Sequence, residues 1–216
     1  MSDRLTLGLV STRTLKPPSA ALGALVGAVT VLGFAVIHDI FIVDIWDSIR
    51  RMVIAGALCG LCLTWSYNKA VGHHSTGRWW AYIGSCAAVL VALGGVSFVV
   101  LDPRFTMAEL IAADDALARL IPPVLPLMIV ASLVGTLVVW VGFGRRWRAI
   151  IPILVTQVLL VFLVGHNLAI LGVVEMSSDL LTVAWEFVGL TLFLAATFAA
   201  GVALVGWVRA RAASPI

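Results

Sequence analysis

The run IIPILVTQVLLVFLVGHNLAILGV, residues 150–173, decides the fold class. It contains no Asp, Glu, Lys or Arg. A hydrocarbon core roughly 30 Å thick requires about 20 apolar helical residues to cross it, and this run supplies them. Its apolar residues are continuous rather than alternating, which predicts a helix and not a strand of a barrel.

Five more stretches share this character: 20–43, 50–68, 79–101, 123–143 and 181–208. The second is the shortest, and the last is long enough to tilt or to run past the membrane surface. Pro17, Pro18, Pro122, Pro123, Pro126 and Pro152 fall near the expected helix starts, where a missing N–H costs little. The 216 residues are 62% hydrophobic and 12% charged, against roughly 45–50% and 25% in soluble domains. A globule of this size could not bury that excess. The expected fold is therefore all-α: a polytopic membrane helix bundle with six transmembrane helices, forming a single domain over 1–216. The lipid bilayer is its first partner. Arg4, Arg13 and Lys16 lie in a mixed opening segment with no cleavable signal peptide, so the first apolar stretch is expected to be a retained span.

Charge placement gives the topology. With the N-terminus inside, the inner segments hold Arg4, Arg13, Lys16, Lys69, Arg78, Arg145, Arg146, Arg148, Arg209 and Arg211. The outer loops hold only Arg50, Arg51, Arg104 and Arg119. This bias predicts both termini in the cytoplasm, in a plasma or bacterial inner membrane. Trp65, Trp79, Trp80, Trp140, Trp147 and Trp207 then fall near the inner face, and Trp46 and Trp185 near the outer one, as interfacial belts require. In the outer loop between spans three and four, Thr106 and Glu109 form a capping box. Met107, Leu110, Ile111, Leu117 and Leu120 recur at helical spacing. An amphipathic helix over 106–120 is expected there, lying on the outer surface.

A weak internal echo links Phe34 and His38 to Phe162 and His166, and residues 77–83 to residues 144–150. It suggests three parallel hairpins, 1–2, 3–4 and 5–6.

Ionisable groups inside spans are costly and mark function by default. His38 and Asp39 lie near the outer end of span one, His166 and Asn167 in the outer part of span five, and Glu186 in that of span six. His38, His166 and Glu186 share one depth, roughly 8–10 Å below the outer helix ends. If spans one, five and six are neighbours, these five residues form a ligand-binding pocket. A cation, a polar ligand or a proton would suit it. His38 and His166 would also be the ligands of a haem or a transition metal, the cofactors the pocket admits. Cys59 and Cys62 share one helix face, but no outer loop carries the second cysteine pair that membrane thiol oxidoreductases need. They are expected to be small packing residues, as free cysteines commonly are. His73 and His74 are expected in a solvated basic loop, and Thr156 and Gln157 in ordinary interhelical hydrogen bonds. Ala20, Ala24 and Ala28, with Gly23 and Gly27 beside them, form a small-residue face that packs inside the bundle or docks another membrane subunit.

The chain contains no phosphate-binding glycine loop, no His-Glu-x-x-His and no Gly-x-Ser-x-Gly. No basic tract suits nucleic acid. These absences weigh against an enzyme. The first expectation is a small transport or ligand-binding membrane module with a pocket in the outer leaflet half. In size and layout, though in no motif, it resembles the vitamin-binding subunits of energy-coupling transporters. The alternatives are an accessory subunit of a membrane complex and a haem- or metal-binding electron-transfer subunit.

Overall fold

The computed structural model describes residues 17–37, 45–72, 74–100, 116–144, 146–174 and 180–212. Within these ranges the side chains of 45, 47, 48, 93–100, 116–124, 127, 164–174 and 180–187 stand outside the description. The described residues are all-helical, with six α-helices and no strand: α1 (Ala20–Ile37), α2 (Ile45–Ala70), α3 (Thr76–Val100), α4 (Ala116–Gly142), α5 (Ile150–Val174) and α6 (Leu180–Ala212). A 3₁₀ turn, Trp147–Ala149, leads into α5.

Local chemistry sets the ends. Ser19 caps α1, its Oγ accepting the N–H of Leu22 at 3.2 Å. Ser75 caps α3 in the same way through Arg78 N–H, also at 3.2 Å. Gly144 ends the α4 segment with φ at 103°, a left-handed conformation that a side chain would disfavour. Pro122, Pro123 and Pro126 do not mark a helix start. They lie inside α4, which begins at Ala116. Proline's fixed φ is helical, but each interior proline leaves the carbonyl four residues earlier without its donor and crowds it with the ring. Residues 116–120, expected at the end of a separate surface helix, are instead the opening of α4. The remainder of that expected helix, 106–115, lies outside the described residues.

The helices pack in a circuit: α1 on α2, α2 on α5, α5 on α4, α4 on α3, α3 on α6, and α6 back on α1. The α1–α2 contact is the most extensive. Gly23 and Gly27 face Gly60 and Gly56 so closely that a Cβ on Gly27 would overlap the Gly56 carbonyl oxygen. This is the backbone approach that small-x-x-x-small patterns permit. The glycine half of the small-residue face is thus spent on α2, while Ala20, Ala24 and Ala28 remain half-buried beside it. Among the described residues, α1–α2 is the only close hairpin, and α5 and α6, consecutive in sequence, share few contacts. The second sequence echo is not structural, since Gly77 is helical within α3 and Gly144 is a left-handed turn.

Among the described residues, Ile49–Ala70 and Val188–Ala212 are long and apolar enough to cross a membrane. Ala20–Val36, Met128–Gly142 and Trp147–Leu163 are shorter apolar helical stretches.

Candidate functional site

The buried core is aromatic at one end and polar at mid-height. At the end where α2 meets α3, Tyr67, Trp79 and Tyr82 are all but fully buried. Tyr67 stands edge-on to Trp79 at 4.9 Å and to Tyr82 at 5.4 Å, the T-shaped geometry that ring quadrupoles favour. Each polar tip finds a partner. Tyr82 donates to Ser66 Oγ at 2.7 Å, and the Trp79 indole donates to the Ala199 carbonyl at 3.1 Å. Trp79 is therefore a core residue, not a member of an interfacial belt: Ala199 lies well inside α6, so the indole reaches inward to it. Trp80 and Trp147, by contrast, are exposed.

His74 departs from expectation too. It is not a freely solvated loop residue. The turn after α2 folds back so that Tyr67 Oη and His74 Nδ1 lie 2.9 Å apart, and the rings meet edge to face at 5.6 Å. Burial lowers the imidazole pKa and so favours the neutral ring.

The polar layer joins α2, α3, α4 and α5. Thr156 and Gln157 are fully buried. Thr156 Oγ1 reaches the Cys62 carbonyl across helices at 3.0 Å and the Pro152 carbonyl on its own helix at 2.8 Å. Gln157 Nε2 donates to Cys86 Sγ at 3.5 Å. Its Oε1 is buried and has no partner among the described residues. Gly135 on α4 leaves room for that oxygen, because a Cβ there would stand 2.7 Å from it. Ser132 and Thr136 spend their hydroxyls on their own helix, on the carbonyls of Met128 and Ser132. Cys59, Cys62 and Cys86 are free thiols, with Cys62 and Cys86 buried.

Of the expected pocket, His38 and Asp39 lie outside the described residues, and His166, Asn167 and Glu186 lie on helical backbone whose side chains are likewise outside them. The helices that carry them are only partly neighbours. α6 packs on α1, whereas α5 packs chiefly on α4 and α2, with α2 standing between it and α1 in the circuit. No three His, Cys, Asp or Glu side chains among the described residues stand close enough to hold a metal ion.

A second feature was not anticipated from the sequence. A cleft of about 520 Å³ opens between the end of α2 and the turn into α5, lined by Asn68, Lys69, Arg146, Trp147 and Arg148. The cluster of cations in the inner loops was visible; their convergence from two loops far apart in sequence was not. No protein-family model, no curated protein and no solved structure matches this chain.

Proposed function

We propose that the chain is a six-span integral membrane protein of the plasma or inner membrane, with both termini cytoplasmic, that works as a small transport or ligand-binding module. The observation that carries the membrane part is the outer surface. Large apolar side chains are exposed along the middle of five helices: Leu25 on α1, Leu58 on α2, Leu137 on α4, Val155 on α5 and Leu192 on α6. Soluble monomers rarely expose apolar patches beyond a few hundred Å², whereas lipid is indifferent to such faces. Among the described residues, the cations other than Arg50, Arg51 and Arg119 lie at one end of the helices, as the positive-inside rule asks of a cytoplasmic face.

The binding part draws support from Gln157. A buried amide oxygen without a partner is costly, and polar groups kept at that cost inside a membrane protein commonly serve a ligand or ion path. From Gln157, α5 rises roughly 14 Å to His166 and Asn167, so one helix links the polar layer to the outer pocket of His38, Asp39, His166, Asn167 and Glu186.

Two experiments test this reading. Single cysteines at Ser75 and Thr106, probed with a membrane-impermeant maleimide, should label from opposite sides of the membrane; labelling from one side sinks the six-span topology. Protein purified in native lipid discs should release a stoichiometric small polar molecule on denaturation, and His166→Ala and Glu186→Gln should lose it. A wild-type protein that releases none overturns the ligand-binding role.

A further inference from the structure

The basic cleft lies at the opposite end from the proposed pocket and has its own chemistry. Lys69 comes from the last turn of α2, and Arg146 and Arg148 flank Trp147 at the entry to α5. Among the described residues no carboxylate balances them. The sequence has no Asp or Glu in residues 48–101, 116–174 or 187–216. Arg146 is held in place: its carbonyl accepts both the Trp140 indole N–H at 3.1 Å and the Ala149 N–H at 2.9 Å. Its guanidinium lies directly over Gly72, where a Cβ would approach Cζ to 2.8 Å. Asn68 Nδ2 is tied to the Pro18 carbonyl at 2.7 Å, while its Oδ1 is buried without a partner among the described residues.

Two further observations separate a lipid from a soluble anion. Trp147 is 77% exposed and packs on Trp140 at 5.2 Å, an amphipathic pair suited to headgroup depth. From Trp147 an exposed apolar stripe runs up α5 through Ile151, Val155, Val158 and Phe162, at the three- and four-residue spacing of a single helix face. A phosphate seated among the three cations would have this stripe beside it, along the length of an acyl chain.

We propose that the cleft of Lys69, Arg146, Arg148 and Trp147 holds the phosphate of an anionic phospholipid of the inner leaflet, with one acyl chain along the exposed face of α5. Guanidinium and ammonium groups supply charge-assisted hydrogen bonds to the phosphate oxygens. The inference rests on the membrane reading, but its test is made on protein in detergent and can fail while that reading stands.

The test is native mass spectrometry of the full chain in mild detergent, titrated in parallel with phosphatidylglycerol, phosphatidylcholine and inorganic phosphate. One phosphatidylglycerol should be retained in preference to phosphatidylcholine. Lys69→Gln, Arg146→Gln and Arg148→Gln should each weaken retention about fivefold. Gly72→Ala, which displaces only the Arg146 guanidinium, should weaken it as well, and Ile151→Ser should weaken retention of the long-chain lipid but not of a short-chain analogue. Arg209→Gln and Arg211→Gln, outside the cleft, should change nothing. Equal loss in those two controls, or equal retention of both lipids, overturns the site. Inorganic phosphate that competes with phosphatidylglycerol at equal concentration would establish a soluble phosphate site and overturn the lipid assignment.

Discussion

Tyr67 links the turn after α2 to the aromatic core, touching His74, Trp79 and Tyr82. Tyr67→Phe keeps the ring packing and removes the hydroxyl, so it should cost about 1 kcal/mol, read as a lowered unfolding midpoint in detergent. The His74 contact also sets a pH dependence. Burial holds the folded imidazole below its ordinary value of 6.5, so the unfolded chain takes up a proton at a pH where the folded chain does not. The stability this group contributes is complete above pH 6.5 and falls as the pH drops from there through the lowered folded value. Melts at pH 8 and pH 5.5 should show a lower midpoint at pH 5.5, and His74→Phe should narrow that gap. At Gln157 the expectation runs the other way. Gln157→Leu removes an orphaned oxygen, so stability should hold or rise while any bound ligand is lost. A large fall in the midpoint would show that the amide is structural. Individual residue types were legible in the sequence, but their surroundings were not. Nothing local to His74 reveals that a tyrosine seven positions earlier returns to meet it, and nothing local to Trp79 reveals that its indole reaches a carbonyl on the last helix.

Among the elements, α1 and α2 form the tightest unit, because glycines on both let the backbones meet. Gly27→Val or Gly60→Val would place a branched side chain on a facing carbonyl oxygen, and overpacking of this kind costs about 1–3 kcal/mol. Both variants should lose thermal stability, whereas Gly33→Ala, with open space around its Cα, should be neutral or better. A melt in which all three behave alike would remove the close approach as a determinant of stability. The spacing of Gly23 and Gly27 was read on the first span, but its match at Gly56 and Gly60 on the second was not, since the same pattern serves an internal neighbour and an external subunit equally well. The prolines of α4 mislead for a related reason. Proline marks a helix start by propensity, yet a helix can hold prolines in its interior where its surroundings offset the lost backbone bonds and the ring's crowding of the preceding turn.

For the whole molecule, helix number and sign of charge at each end follow from hydropathy and Lys/Arg placement, both sums over local sequence. Those sums determined that the chain is all-helical and that its cations gather at one end. They could not determine neighbours. Six apolar helices of similar composition have similar surfaces, so the circuit α1–α2–α5–α4–α3–α6 is settled only by which small and large side chains interlock across helices. That circuit separates α5 from α1, brings Gln157 to Cys86, and draws Lys69 and Arg146 around one cleft although their loops are distant in sequence. Composition fixed the solvent each helix surface prefers; tertiary packing alone decided which polar groups meet, because contact between remote residues is a property of shape and not of pattern.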